Sequence, residues 1–314
     1  MAITTPAGSS RRDFIRLTGT LGVAAGLAVS LAACGGKGKT SGGAKASGSA
    51  MATDQEVTHK DGVITAGISY ELGTNGYDPM TTSSALTVAA NWHTLEGLTE
   101  LHPATREVYA ALASEMPKKV DDTTYEVALR KDAKFSDGAA VTADDVVFSF
   151  TRVLDPANKS LYSQFLPFID KVEAKDASTV TIKLKYAFSL VAERLSVVKI
   201  VPKAIVEADA KAFDMSPTGS GPYKMTDNGA ASQKIVFERN DSYNGPRPAL
   251  AKSMTWQVLP DDTTRTNAMS SGSVQAIDAV PAANLSTLKD PVKVAAQQGF
   301  GLLFAMFNNT TFSN

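Results

Sequence analysis

Along residues 62–258 the apolar positions switch between a two-residue alternation and a helical spacing, and these switches predict the elements. Val63, Ile64 and Ile68, among small residues, predict a β-strand over 62–68. A loop rich in Gly and Asn follows over 71–79, ending in Asp78-Pro79. Leu86, Val88, Ala89, Trp92 and Leu95 then recur at helical spacing up to Gly97. Tyr125, Val127 and Leu129 alternate as one face of a half-buried strand, with Asp121-Asp122 as the turn before it and a second turn over 134–138. Further strands are expected at 180–185, 235–237 and 254–258, a strand end meeting a helix start at 200–205, and a tight glycine turn at 219–223. An apolar strand is expected at 302–307. Strand, polar loop and helix in that order point to an α/β fold, in which ligands gather at the carboxyl ends of strands.

One helix carries its own start and stop. Thr142 with Asp145 three residues on makes a near capping box, Asp in place of Glu or Gln. Val146, Val147, Phe150, Val153 and Leu154 form its apolar stripe, and Asp155-Pro156 ends it. Asp144 and Asp145 invite a catalytic reading. Adjacent helical residues point in different directions, so capping and the helix dipole explain them better.

The first 60 residues follow another logic. Ser10, Arg11, Arg12, Phe14, Ile15 and Arg16 form a twin-arginine export pattern. An uncharged run from Leu21 to Ala33 follows, and Leu31-Ala32-Ala33-Cys34 resembles a lipoprotein cleavage box. Even counted from Leu17 the run is about 17 residues, short and too rich in Gly, Ser and Thr for a stable membrane span. Residues 1–33 are therefore expected to be a signal peptide, with Arg11 and Arg12 as export signal and Cys34 as the lipid attachment site. Residues 34–58, dominated by Gly, Ser, Ala and Lys, are expected to be a flexible tether.

Composition narrows the chemistry. Of the 314 residues 43% are hydrophobic and 20% charged, and 31 basic against 32 acidic residues leave a net charge of -1. Without a basic face, nucleic acid is not an expected partner. Cys34 is the single cysteine, so no disulfide framework can form. The three histidines, His59, His93 and His102, show no zinc spacing, and no nucleophile elbow or P-loop is present. No metal, cofactor or enzymatic activity is expected. Nothing in the sequence points to a glycosidase carboxylate pair.

A longer string carries a resemblance. Gly97-Leu98-Thr99-Glu100-Leu101, then Leu129-Arg130-Lys131-Asp132-Ala133-Lys134-Phe135-Ser136-Asp137-Gly138, then Val141-Thr142-Ala143-Asp144-Asp145 through Asp155-Pro156 resemble the family 5 extracellular solute-binding proteins of ABC transporters. Gly219-Ser220-Gly221-Pro222-Tyr223, Arg239-Asn240-Asp241-Ser242-Tyr243 and residues 271–278 extend it over nearly all of 60–310. Two usual tryptophans are missing, one near Glu115-Met116 and one at Asn244.

The resemblance implies a periplasmic-binding-protein type II two-lobe fold with an extra small domain on lobe one. It assigns 59–95 and 190–295 to lobe one, 96–189 to the small inserted domain, and 296–314 to the start of a second lobe that is largely missing from a C-terminally truncated chain. It implies a monomer partnered by ABC permease subunits, and with the signal sequence and Cys34 it is expected outside the cytoplasmic membrane, in the periplasm or at the cell surface, anchored by lipid. The solute would be a peptide, with nickel chelates and sugars as alternatives. Carried over from peptide binders, Ser83, Ser84 and Ala85 would touch ligand backbone and Tyr162 would reach the ligand. A helix N-cap for the former and a half-buried core role for Tyr162 remain open beside that. Rival classes are a ligand-sensing scaffold lipoprotein and a secreted hydrolase. With half the cleft wall absent, weak or no binding is expected of the 314 residues.

Overall fold

The computed structural model describes residues 61–70, 76–103 and 105–295. The expectations for Arg11, Arg12, Cys34, the tether, the strand at 302–307 and the second lobe lie outside the described residues. Among the described residues no helix is long and apolar enough to cross a membrane.

The larger sheet is mixed. β1 (Val63–Ile68) lies between two parallel neighbours: β10 (Ser253–Val258), paired from Val63↔Ser253 to Ile68↔Val258, and the short β11 (Ala276–Ile277) on its other side. β9 (Lys234–Arg239) and β8 (Tyr223–Asn228) extend it antiparallel, giving the order β11-β1-β10-β9-β8. Alternating burial along β9 and β10 places Ile235, Phe237, Met254 and Trp256 in one core, against Leu86 and Ala90 of α1 (Ala85–Thr94). The turn at 219–222 crosses the end of α1 so closely that only glycine fits. Gly221 donates its N–H to the Thr94 carbonyl at 2.9 Å, and a Cβ at Gly221 would lie 2.6 Å from the His93 carbonyl oxygen.

A second sheet, in the order β4-β5-β7-β6, is an antiparallel unit built from β4 (Lys118–Asp121), β5 (Thr124–Ala128), β6 (Ile169–Asp176) and β7 (Thr179–Leu184). A two-stranded ribbon of β2 (Thr99–Leu101) and β3 (Val108–Ala110) stands beside it. α2 (Ala143–Leu154) packs on this sheet through Val146, Phe150 and Val153. Its start is the reciprocal capping box expected from sequence: Asp145 Oδ2 accepts from Thr142 N at 2.9 Å, and Asp145 N donates to Thr142 Oγ1. The other Asp145 oxygen accepts from Lys203 N at 2.9 Å, where α4 (Lys203–Ala208) begins. Asp145 is thus used up in holding two helix starts. The core of this unit runs on through Val191 and Leu195 of α3 (Val191–Leu195) to Val198 and Ile200.

Two helices complete the framework around the larger sheet, α5 (Ala210–Met215) and α6 (Asp262–Ser270). Arg265 on α6 is 1% exposed. Its guanidinium donates to the carbonyl oxygens of Leu259 at 2.8 Å and Ala279 at 2.8 Å, so the buried side chain has partners for its N–H groups. Residues 200–202, expected to end a strand, have no strand pairing: the Ile200 N–H goes to the Glu96 carbonyl and the Val201 N–H to Ser149 Oγ.

Candidate functional site

The three parallel strands of the larger sheet finish at one edge, and the chain leaving the central strand at Ser69 returns over residues 76–84 to the start of α1. The carboxyl edge of parallel strands is where ligand loops form in open α/β folds. This loop is tied down along its length. Tyr77 N donates to the Asp214 carbonyl at 2.7 Å, Asp78 N to Asp214 Oδ1 at 2.8 Å, and Asn91 Nδ2 to the Tyr77 carbonyl at 2.8 Å. These ties come from α5 and α1, on the side of the larger sheet.

The four-stranded unit supplies the others. Arg152, in the last turn of α2, forms a fork on Asp78, with Nη2 2.5 Å from Oδ2 and Nη1 3.4 Å from Oδ1. The pair is buried, with side-chain exposures of 13% and 8%, and the guanidinium also lies over the Phe148 ring at 5.6 Å. Ser160 Oγ donates to the Met80 carbonyl at 2.9 Å, and Tyr162 Oη to the Thr82 carbonyl at 2.6 Å. Met80 itself packs against the core of the four-stranded unit.

The structure therefore brings Tyr162 to the residue preceding Ser83. Ser83 and Ala85 are exposed and Ser84 is half-buried. Ser84 takes the N-cap position of α1 with extended backbone, but its side chain makes no capping hydrogen bond; its carbonyl accepts from Val88 N at 2.9 Å and Thr87 Oγ1 at 3.1 Å. The Tyr162 ring packs partly on the core of the four-stranded unit, and burial raises its phenol pKa.

Tyr162 also lines a cavity of about 950 Å³ that runs along α1 past Trp92 to Tyr109 and Arg247. Ser83, Ser84 and Ala85 are not among its lining residues. His93, on the same helix, sits within 6.0 Å of the ring centres of Tyr223, Phe237 and Trp256, and burial lowers its pKa to about 4. Glu96 is held by Arg130 at 3.1 Å and by Tyr243 Oη at 3.1 Å; burial raises its pKa, against the pull of Arg130. Asn244, where the family pattern has tryptophan, accepts from Arg130 Nε at 2.8 Å and donates to the Lys131 carbonyl at 2.8 Å. Its amide thus links the loop after β9 to the end of β5. Among the described residues no group of three or more His, Cys, Asp or Glu is placed to hold a metal ion.

Comparison with known proteins now places the chain. Residues 107–314 match the family of bacterial extracellular solute-binding proteins, family 5 (middle region), and the chain belongs to that family. Protein XP55 of Streptomyces lividans is 34% identical over 170 residues, covering 53% of this chain and 31% of that protein. The glutathione-binding protein GsiB of Pectobacterium atrosepticum is 29% identical over 244 residues, covering 75% of this chain and 45% of GsiB. The oligopeptide-binding protein AppA of Bacillus subtilis, solved in complex with a nonapeptide, aligns with a TM-score of 0.65 at 26% identity, covering 73% of this chain and 46% of AppA. The chain thus spans less than half the length of these proteins, and its fold is that of the type II periplasmic binding proteins, as the resemblance implied.

Sequence reasoning did not single out Asp78, Arg152 or Ser160 as parts of this site. The one local signal is the Asp78-Pro79 dipeptide, which by itself marks a loop; no spacing rule pairs it with an arginine 74 residues further on.

Proposed function

We propose that this chain is the solute-binding part of an ABC importer, and that the loop of residues 79–85 together with Tyr162 forms one wall of its ligand site. The reading rests above all on one observation: Tyr162 and the carboxyl-edge loop, far apart in sequence, meet through a 2.6 Å hydrogen bond. A half-buried aromatic wall beside a loop of exposed small polar residues suits the backbone of an extended peptide, whose hydrogen-bonding groups are alike whatever its sequence. Glutathione for GsiB and a nonapeptide for AppA make a peptide the preferred solute class here.

The working cycle is capture and release without chemistry. A second lobe closes over the solute about a hinge, the closed form docks on a permease, and release follows. In this layout residues 59–95 and 190–295 form the first lobe and 96–189 a small inserted domain. Twin-arginine export through Arg11 and Arg12, followed by lipidation of Cys34, would hold the body outside the cytoplasmic membrane, with residues 34–58 as tether. Energy would come from a cytoplasmic ATPase, so the chain itself would need no nucleotide site, cofactor or catalytic residue.

Ligand-detected NMR with tripeptides and glutathione tests the reading. Saturation transfer to peptide, weak because one side of the cleft is absent, with peptide signal constant over hours, is the expected result. Steady loss of peptide signal would mean turnover and a hydrolase; transfer to a nickel chelate or a sugar and to no peptide would move the solute class away from peptide.

A further inference from the structure

The four-stranded unit makes three side-chain ties to the 76–84 loop, and all three grip oxygen acceptors of the loop. Arg152 holds the Asp78 carboxylate, Ser160 the Met80 carbonyl, and Tyr162 the Thr82 carbonyl. They fall on alternate residues of the loop, and they issue from one short stretch, residues 152–162, at the end of α2. The Asp78 carboxylate in turn accepts from Met80 N at 3.0 Å, while its carbonyl accepts from Thr81 N at 3.1 Å and Thr82 N at 3.0 Å. The loop's own turn is thus organised by a carboxylate whose position the arginine fixes.

Resting on the ligand reading above, we propose that the four-stranded unit acts as a brace for the ligand loop, with Arg152 as its main positioning residue and Ser160 and Tyr162 as secondary ones. Two geometric facts support this. A planar guanidinium gripping both carboxylate oxygens sets orientation as well as distance, which an ammonium cannot do. The Tyr162 hydroxyl already has an acceptor in the Thr82 carbonyl, so its contribution to a ligand would come from the ring and from the loop it holds. The brace gives the small unit a role in affinity: a loop held in its bound conformation loses less entropy when ligand arrives.

The test uses the 314-residue protein with Arg152→Gln, Arg152→Lys, Ser160→Ala and Tyr162→Phe. Amide hydrogen exchange is read at Met80, Thr81 and Thr82, and at Val180 and Ile182 in the centre of the four-stranded sheet as control. Loss of a charge-assisted hydrogen bond in a buried site is expected to speed loop exchange by about tenfold or more in Arg152→Gln. The β7 amides should be unchanged, Arg152→Lys should recover part of the protection, and the two milder variants should show smaller effects confined to the loop. Unchanged loop exchange in Arg152→Gln, or equal acceleration in β7, would overturn the brace. Should Arg152→Gln fail to fold, Ser160→Ala and Tyr162→Phe decide by the same criterion. Tripeptide titrations monitored at Ser83, Ser84 and Ala85 run alongside: weaker shifts in the braced-loop variants are expected. Wild-type peptide shifts that fall elsewhere and leave Ser83, Ser84 and Ala85 unmoved would overturn the ligand reading, while loop exchange still decides the brace.

Discussion

Acid should weaken this fold through His93 in a way that one substitution isolates. The ring is enclosed by Tyr223, Phe237 and Trp256, with Trp256 5.4 Å away edge-on, and burial lowers its pKa from 6.5 to about 4. Because the folded value lies below the unfolded one, the unfolded chain binds more protons between these two pH values. Stability from this group is complete above pH 6.5 and is lost as pH falls towards 4. Between pH 7.5 and pH 5 the loss amounts to at most about 2 kcal/mol, the limit set by one proton taken up almost wholly by the unfolded state. Urea unfolding followed by tryptophan fluorescence measures it, comparing wild type with His93→Gln at both pH values. All other titrations are common to the two proteins and cancel in the difference. The stability gap between them should shift by about 2 kcal/mol in favour of the variant as pH drops to 5. Parallel pH dependences would refute the argument.

Other expectations follow from packing and pairing. Phe150, fully buried in the core of the four-stranded unit, should cost about 3–5 kcal/mol as Phe150→Ala, read by urea midpoint at constant slope. Asp145→Ala removes the capping box and the acceptor for Lys203 N together, and should cost about 1–3 kcal/mol in the same assay. Arg130→Ala leaves the Glu96 carboxylate buried without its partner and should cost about 3–5 kcal/mol, whereas adding Glu96→Gln should restore part of that. A double variant no more stable than Arg130→Ala would show that the charge is not the source of the loss.

Much of the framework could be read from the chain because local and global preferences agree there. Thr142 and Asp145 announce α2, and its stripe of Val146, Phe150 and Val153 is the face it buries. Alternation in β5, β7, β9 and β10 matches their half-buried faces. Residues 169–176 hid their strand because charge dominates them; β6 keeps only Ile169 and Val172 buried and its outer face is wet. α6 has no apolar stripe, and its most buried side chain is an arginine that packs by donating to carbonyl groups. A periodicity argument sees Arg265 as solvent-facing. The same limit applies to the site. Ser83, Ser84, Ala85 and Tyr162 were named through the family pattern, not from spacing. The Asp78–Arg152 pair closes only in three dimensions, and nothing local to either residue signals it.

On the proposed function, solute lies against the 79–85 loop and Tyr162. A tripeptide carrying a photoreactive residue, irradiated with the protein and mapped by peptide mass spectrometry, tests this most directly. Label on residues 79–85 and on the segment containing Tyr162, diminished by unlabelled peptide, is the result the account requires. Label concentrated instead on the far wall of the large cavity, at Trp92, Tyr109 or Arg247, with the loop unmarked, would contradict it.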